Sequence, residues 1–202
     1  MSDYHILHSI TLHLRDLLFE GLAADATLKT HFTQQVDVSL ESPATLLGEG
    51  QAAGSEPLSL YLYQVVPNAH LNNRPKIPAG PGTLAHVPTS LDLLYLLTPL
   101  HDKPEVNLRI LAKSVQILAA HPVISEAFLD SDLRPRRPEV RLLMQPLDLE
   151  GMTRIWNAFN RPYRLSLGYM IRPVSIDSLR PDEELAPVRE RLVDVHRVEE
   201  IE

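Results

Sequence analysis

The chain has no cysteine among its 202 residues, which excludes disulfides, thiolate catalysis and Cys-based zinc or iron–sulfur centres together. Chemistry would fall to oxygen and imidazole groups. Glycine is scarce at 8 residues against 17 prolines, the reverse of ordinary usage at about 7% and 5%, so the sequence asks for many fixed bends. No apolar run approaches the roughly 18 residues that would span a bilayer, and Met1-Ser2-Asp3-Tyr4-His5 has neither a charged nor an apolar leader region. The expectation is cytoplasmic synthesis and assembly, any export requiring another route. An excess of base is lacking too: 26 acids face 19 Lys and Arg, a formal charge of −7. This argues against nucleic acid or an anionic membrane as the main partner. No repeat period is present, so a solenoid or propeller is excluded.

What is present is a globular composition, 44% hydrophobic and 22% charged, in a length that suits one core. Leu7, Ile10, Leu14 and Leu17, widened by Ile6 and Leu18, predict a helix over residues 3–20, capped by Ser2 or Asp3 and ended by Gly21. Val36, Val38 and Leu40 alternate and predict a strand over 34–40, closed by Pro43; residues 47–57 read as loop. Residues 58–66 predict a central strand, with Leu58, Leu60 and Leu62 on one face and Tyr61, Tyr63 and Val65 on the other. Residues 67–88 then hold five Pro, two Gly and three Asn without periodicity, a loop long enough to imply an interaction role. Residues 90–98 predict a strand confined by Pro88 and Pro99, and 105–120 a helix with Leu108, Leu111, Val115 and Leu118 inward. Residues 125–138 read as irregular. Val140, Leu142 and Met144 predict a strand stopped by Pro146. Asp148 should cap a helix carrying Met152, Ile155, Trp156 and Phe159, and residues 163–176 a last core strand disturbed by Pro173.

The expected fold is therefore mixed, α+β: a mainly antiparallel or mixed sheet of about five strands, with three helices packed on it. Residues 1–178 would form one domain. Residues 179–202 would be an acidic arm, with eight acids and four arginines after Leu179, a side-chain net of 4 − 8 = −4. Within the arm, Leu192, Val193 and Val195 lie in a weakly strand-like stretch, residues 191–198.

The chemical inventory is thin. Gly48, Gly50 and Gly54 lack the spacing and the following helix of a dinucleotide loop. His5 and His8 fall on the polar face of the first helix, and there is no His-Glu-x-x-His or Gly-x-Ser-x-Gly motif. Glu183-Glu184 and Glu199-Glu200 read as a solvated charge run. Arg134, Arg136 and Arg137 make a cation patch between prolines that suits an acidic protein surface better than RNA. Neither a catalytic set, a metal site nor a cofactor site emerges.

The ordered motifs nevertheless resemble a known family. They are Leu58-Ser-Leu-Tyr-Leu-Tyr-Gln-Val-Val-Pro-Asn68; His70-Leu-Asn-Asn73; Pro88-Thr-Ser-Leu-Asp-Leu-Leu-Tyr-Leu-Leu-Thr98; residues 110–124; and Ile155-Trp156 with Tyr163-Arg-Leu-Ser-Leu-Gly-Tyr169. Together, over roughly residues 5–178, they resemble the N-terminal domain of tail-terminator (cap) proteins of phage-tail-like contractile injection systems. Family members often carry Arg just before the second Asn of the long loop, where this chain has Asn72, with Arg74 nearby. The resemblance implies a non-enzymatic subunit of a homohexameric ring that binds the end of sheath and inner tube and stops their growth. Candidate interface residues are Asn68, Asn72, Asn73 and Arg74 in the long loop, Arg134, Arg136 and Arg137 in the cation patch, and Leu192, Val193 and Val195 in the arm. The competing readings are a small histidine/carboxylate hydrolase, which needs three or more such groups converging in a cleft, and an adaptor of another tail-like or secretion assembly.

Overall fold

A computed structural model of the chain describes residues 5–48, 56–80, 82–124 and 139–184, with the backbone alone at 77–79. Two sheets are present among them. The main sheet has six strands in the order β1-β2-β5-β8-β7-β6: β1 Val38–Ser39, β2 Leu58–Pro67, β5 Thr89–Pro99, β8 Leu167–Ile176, β7 Val140–Gln145 and β6 Val123–Ile124. Only β1–β2 is parallel. The smaller sheet orders β3 Ile77–Gly80, β4 Thr83–Ala85 and β9 Glu183–Glu184 as β3-β4-β9. The mixed α+β class holds, with one more strand in the main sheet than the sequence suggested.

The core follows from side-chain period. Helix α1, Ile6–Ala23, buries Ile6, Ile10, Leu14, Leu18 and Leu22, and α3, Pro104–Ala120, buries Val106, Ile110, Leu111, Ile117 and Leu118. Both pack with Leu58, Leu60, Leu93, Tyr95, Leu97, Tyr169 and Ile171 of the central strands. Each fully buried aliphatic side chain contributes about 1.5–3 kcal/mol. Helix α4, Leu149–Ala158, lies over the opposite face: Phe159 at its end meets Tyr61 edge-on at 5.9 Å, and Trp156 meets Phe159 at 5.7 Å and Tyr163 at 6.4 Å. As expected, Asp148 caps α4, its Oδ1 accepting from Gly151 N at 2.7 Å. The central pair β5–β8 carries buried hydroxyls matched across strands, Thr98 with Ser166 and Ser90 with Ser175, so these polar atoms are not orphaned.

Several expectations change. Gly21 does not end α1, which runs on to Ala23; a Cβ there would lie 2.5 Å from Ile117 Cδ1, so the glycine admits α3. The N-cap position of α1 is His5, with no capping side chain, and Ser2 and Asp3 lie outside the described residues. The strand over 34–40 shrinks to β1, because Asp37 Oδ2 accepts the backbone N–H of Thr33 and Gln34 and folds Gln35–Asp37 into a 3₁₀ turn, leaving Val36 61% exposed. Pro43 opens a four-residue helix, α2 Pro43–Leu46, capped by Ser42. Leu108 is 59% exposed; the buried stripe of α3 runs instead through Val106 and Ile110. The last core strand starts at Leu167 and continues through Pro173. There β8 carries one extra residue against β5, between the pairs Leu93↔Ile171 and Leu91↔Val174, and the irregularity accommodates a residue without N–H.

Strand β2 is second in the sheet, yet its partner β1 pairs only with Leu58 and Ser59. From Leu60 onward its outer edge is uncovered among the described residues, and Val65 is 40% exposed. The other side is alike: β6 pairs with Arg141 and Val140 alone, Leu142 N donates to Pro122 O, and the exposed Leu143 and Met144 follow.

Candidate functional site

The site is built where the main sheet hands the chain to residues 67–88. This stretch is not an aperiodic loop: it holds the hairpin β3–β4, whose turn places Gly82 at φ 73, a conformation glycine adopts without strain. A polar network fastens the hairpin's base to β5. Asn68 is buried; its backbone N donates to Ser90 O at 2.8 Å, its Nδ2 donates to Asp92 Oδ1 at 2.8 Å, and its Oδ1 accepts from His70 N and Leu71 N, both at 3.1 Å. Asn72 brackets Ser90, its Oδ1 accepting from Ser90 N at 2.7 Å and its Nδ2 donating to Ser90 O at 3.0 Å. Asp92 Oδ2 then faces Arg172 Nε on β8 at 3.5 Å. Buried donors and acceptors are thus matched, as they must be to avoid a desolvation cost.

Of the four loop residues picked from the sequence, Asn68 and Asn72 spend their amides inside the fold. Asn73 and Arg74 are exposed at the start of the hairpin. Arg134, Arg136 and Arg137, and Leu192, Val193 and Val195, lie outside the described residues. Glu183 and Glu184 are exposed, as a solvated run would be, and they also form β9, with Leu84 opposite Glu183 and Thr83 opposite Glu184, while Lys76 ion-pairs with Glu183.

Among the described residues, histidines and carboxylates do not converge: there is no group of three or more His, Asp or Glu able to hold a metal ion. His5 and His8 are exposed. His31 and His101 stack edge-on at 4.5 Å, and His101 Nδ1 accepts from Lys103 N at 3.0 Å. Burial, and then the neighbouring His31, hold His101 below the usual imidazole range; burial also lowers His13, against the opposing pull of Asp16. Burial pushes the Tyr95 hydroxyl up to about 12, despite its hydrogen bond with Thr11 Oγ1 at 2.8 Å.

Sequence reasoning missed Asp92, Arg172, Lys76 and the hairpin. Gly80-Pro81-Gly82 was a turn signal between short strands; nothing local marks Asp92 as the partner of Asn68.

The family model described as the Pvc16 N-terminal domain matches residues 9–190. The chain belongs to that family. Among solved structures, the Pvc16-type chain is similar to the sheath/tube terminator of PVC, an extracellular contractile injection system in its extended state, at 18% identity and a TM-score of 0.52. That similarity covers 89% of this chain and 63% of the terminator, so the chain spans less than two thirds of that relative's length. A second similar structure is the tube-terminating cap of the anti-feeding prophage, at 21% identity and a TM-score of 0.49, covering 68% of this chain and 48% of that one. No curated protein matches the chain. At 18% identity the likeness to the PVC terminator speaks for the fold alone. No helix among the described residues is long and apolar enough to cross a membrane.

Proposed function

We propose that this Pvc16-type domain is the structural terminator of a contractile tail: a non-catalytic subunit of a homohexameric ring that binds the last layer of sheath and inner tube and stops their polymerisation. The observation that carries the reading is the family match across residues 9–190. The geometry fits it. A polymer whose subunits exchange strands ends in unpaired edges, and a cap must meet them with backbone of its own. Here β2 and β7 each offer an open half-edge, and residues 191–198 of the arm, outside the described residues, carry in sequence the weak alternation of Leu192, Val193 and Val195 that such pairing would use. Asn73 and Arg74 on the hairpin, and the Arg134, Arg136 and Arg137 patch, supply polar contacts. A ring adds one requirement, a heterologous interface that closes by rotation. Neither cofactor nor metal has a part in this role, and neither nucleic acid nor membrane is the partner. The subunit is made and assembled in the cytoplasm, as part of a phage-tail-like particle open to release from the cell.

Deletion of residues 180–202 tests the reading. None of the six main-sheet strands is lost, so circular dichroism and melting should stay close to the parent, while tails grow uncapped and overlong. Particles of normal length with normal ends would overturn the arm's part in capping, and normal ends on particles assembled without the protein would overturn the terminator reading. Solution mass with negative-stain imaging should show six-membered rings on the particle ends.

A further inference from the structure

Two regions that look independent in sequence are joined in space. Strand β4 lies between β3 and β9, so the outer edge of the hairpin is occupied by the first residues of the acidic arm. Lys76 enters β3 on one side of β4 and Glu183 sits in β9 on the other, so their ion pair bridges the middle strand. The hairpin itself is anchored at its base by Asn68 and Asn72. A two-residue strand has little hold of its own, and three successive acids at 182–184 repel one another. What sets β9 in register is therefore the hairpin edge, with Lys76 supplying the opposite charge.

We propose that the hairpin is the mount of the C-terminal arm: β3, β4 and β9 are one docking element, and Lys76 is the positioning residue that fixes where the arm departs. The inference rests on the terminator reading for its partner, the terminal sheath subunit, but the cis mounting stands apart from it. A charge run that merely solvated the surface would hold no strand register and would not respond to Lys76.

The absence of cysteine makes the test clean. Leu84→Cys with Glu183→Cys, and separately Thr83→Cys with Glu184→Cys, place thiols directly across the β4–β9 pair. Neighbouring antiparallel pairs alternate in spacing, so one of the two is the closer kind. The expected result is an intramolecular disulfide in at least one variant, with particle capping equal in oxidised and reduced protein. Disulfides only between chains, no closure in either pair, or capping that returns only on reduction would overturn the mount. In parallel, Lys76→Glu should speed chymotryptic cleavage of the arm, after its leucines, about two- to five-fold, the range of an exposed ion pair, and the swapped pair Lys76→Glu with Glu183→Lys, which alters no chymotryptic site, should restore the parental rate. An unrestored rate would argue against Lys76 as the positioning residue. If particles assembled without the protein still end normally while the intramolecular disulfide forms, the functional reading falls and the mount remains.

Discussion

Asn68 Nδ2 donates to Asp92 Oδ1 at 2.8 Å, tying the first residue after β2 to the middle of the central strand β5. The amide oxygen of the same side chain accepts two backbone N–H groups of the following turn, so one residue closes the loop base from both sides. Asn68→Ala removes these bonds and leaves the Asp92 carboxylate short of a partner. The expected loss is about 1–3 kcal/mol, read as a lower denaturation midpoint with an unchanged slope. Asp92→Asn, which keeps an acceptor, should cost less than Asp92→Ala.

Gly168 explains the glycine of the Leu-Ser-Leu-Gly-Tyr motif. A Cβ there would lie 2.8 Å from Leu147 Cδ1 and 3.0 Å from the Gln145 carbonyl oxygen, and the second contact is backbone in the neighbouring strand. Gly168→Ala should destabilise by about 1–3 kcal/mol through overpacking, and Leu147→Ala should not rescue it fully. A neutral effect on thermal melting would contradict the close approach.

Trp156 is 1% exposed, and its buried Nε1 has no hydrogen-bond partner among the described residues. The side chain therefore acts through shape rather than through its N–H. Trp156→Ala should cost about 3–5 kcal/mol, whereas Trp156→Phe should cost far less than this. Urea unfolding followed by circular dichroism measures both, since Trp156 is the one tryptophan of the chain.

The acid limb of stability should bear the mark of two histidines. His101 and His13 are both held by burial below the ordinary imidazole value of about 6.5. The unfolded chain then binds protons that the folded chain refuses, so stability is fully present above about pH 6.5 and declines as pH falls toward the lowered folded values. Protonation of His101 also cancels its acceptance from Lys103 N. Denaturation midpoints at pH 7.5 and pH 5.5 should differ in the parent and differ less in His13→Gln with His101→Gln. A decline of equal size in that variant would assign the effect to other groups.

Legibility in the sequence followed element length. α1, α3, α4, β2 and β5 carry enough turns or alternations for a period to emerge, and their existence and type follow from Ile10 and Leu14, Ile110 and Leu118, Met152 and Trp156, or Leu58 and Leu60. Register failed where backbone irregularity intervened: the shift between Leu62 and Gln64 in β2 interrupts the alternation that would have placed Tyr63 and Val65 on one face. Two-residue strands such as β1, β6 and β9 have no period at all, and they exist only through their partners. The loop asparagines were noticed for the right position and a different reason. A polar residue in a Pro-rich stretch suggests surface, yet the partner of Asn68 is 24 residues away, and only the folded chain brings it near.

The fastening at the base of the hairpin has a mechanical meaning. Because Asn68 and Asn72 grip β5 and Asp92 faces Arg172 on β8, tension applied to the hairpin passes into the two innermost strands and runs along their length. Their ladder, from Thr89↔Ile176 to Leu97↔Leu167, must then shear as a whole instead of unzipping one bond at a time from a rim. On the proposed role at the end of a contractile tail, abrupt shortening would jerk the subunit, and a handle rooted inside the sheet is the kind that would stay attached.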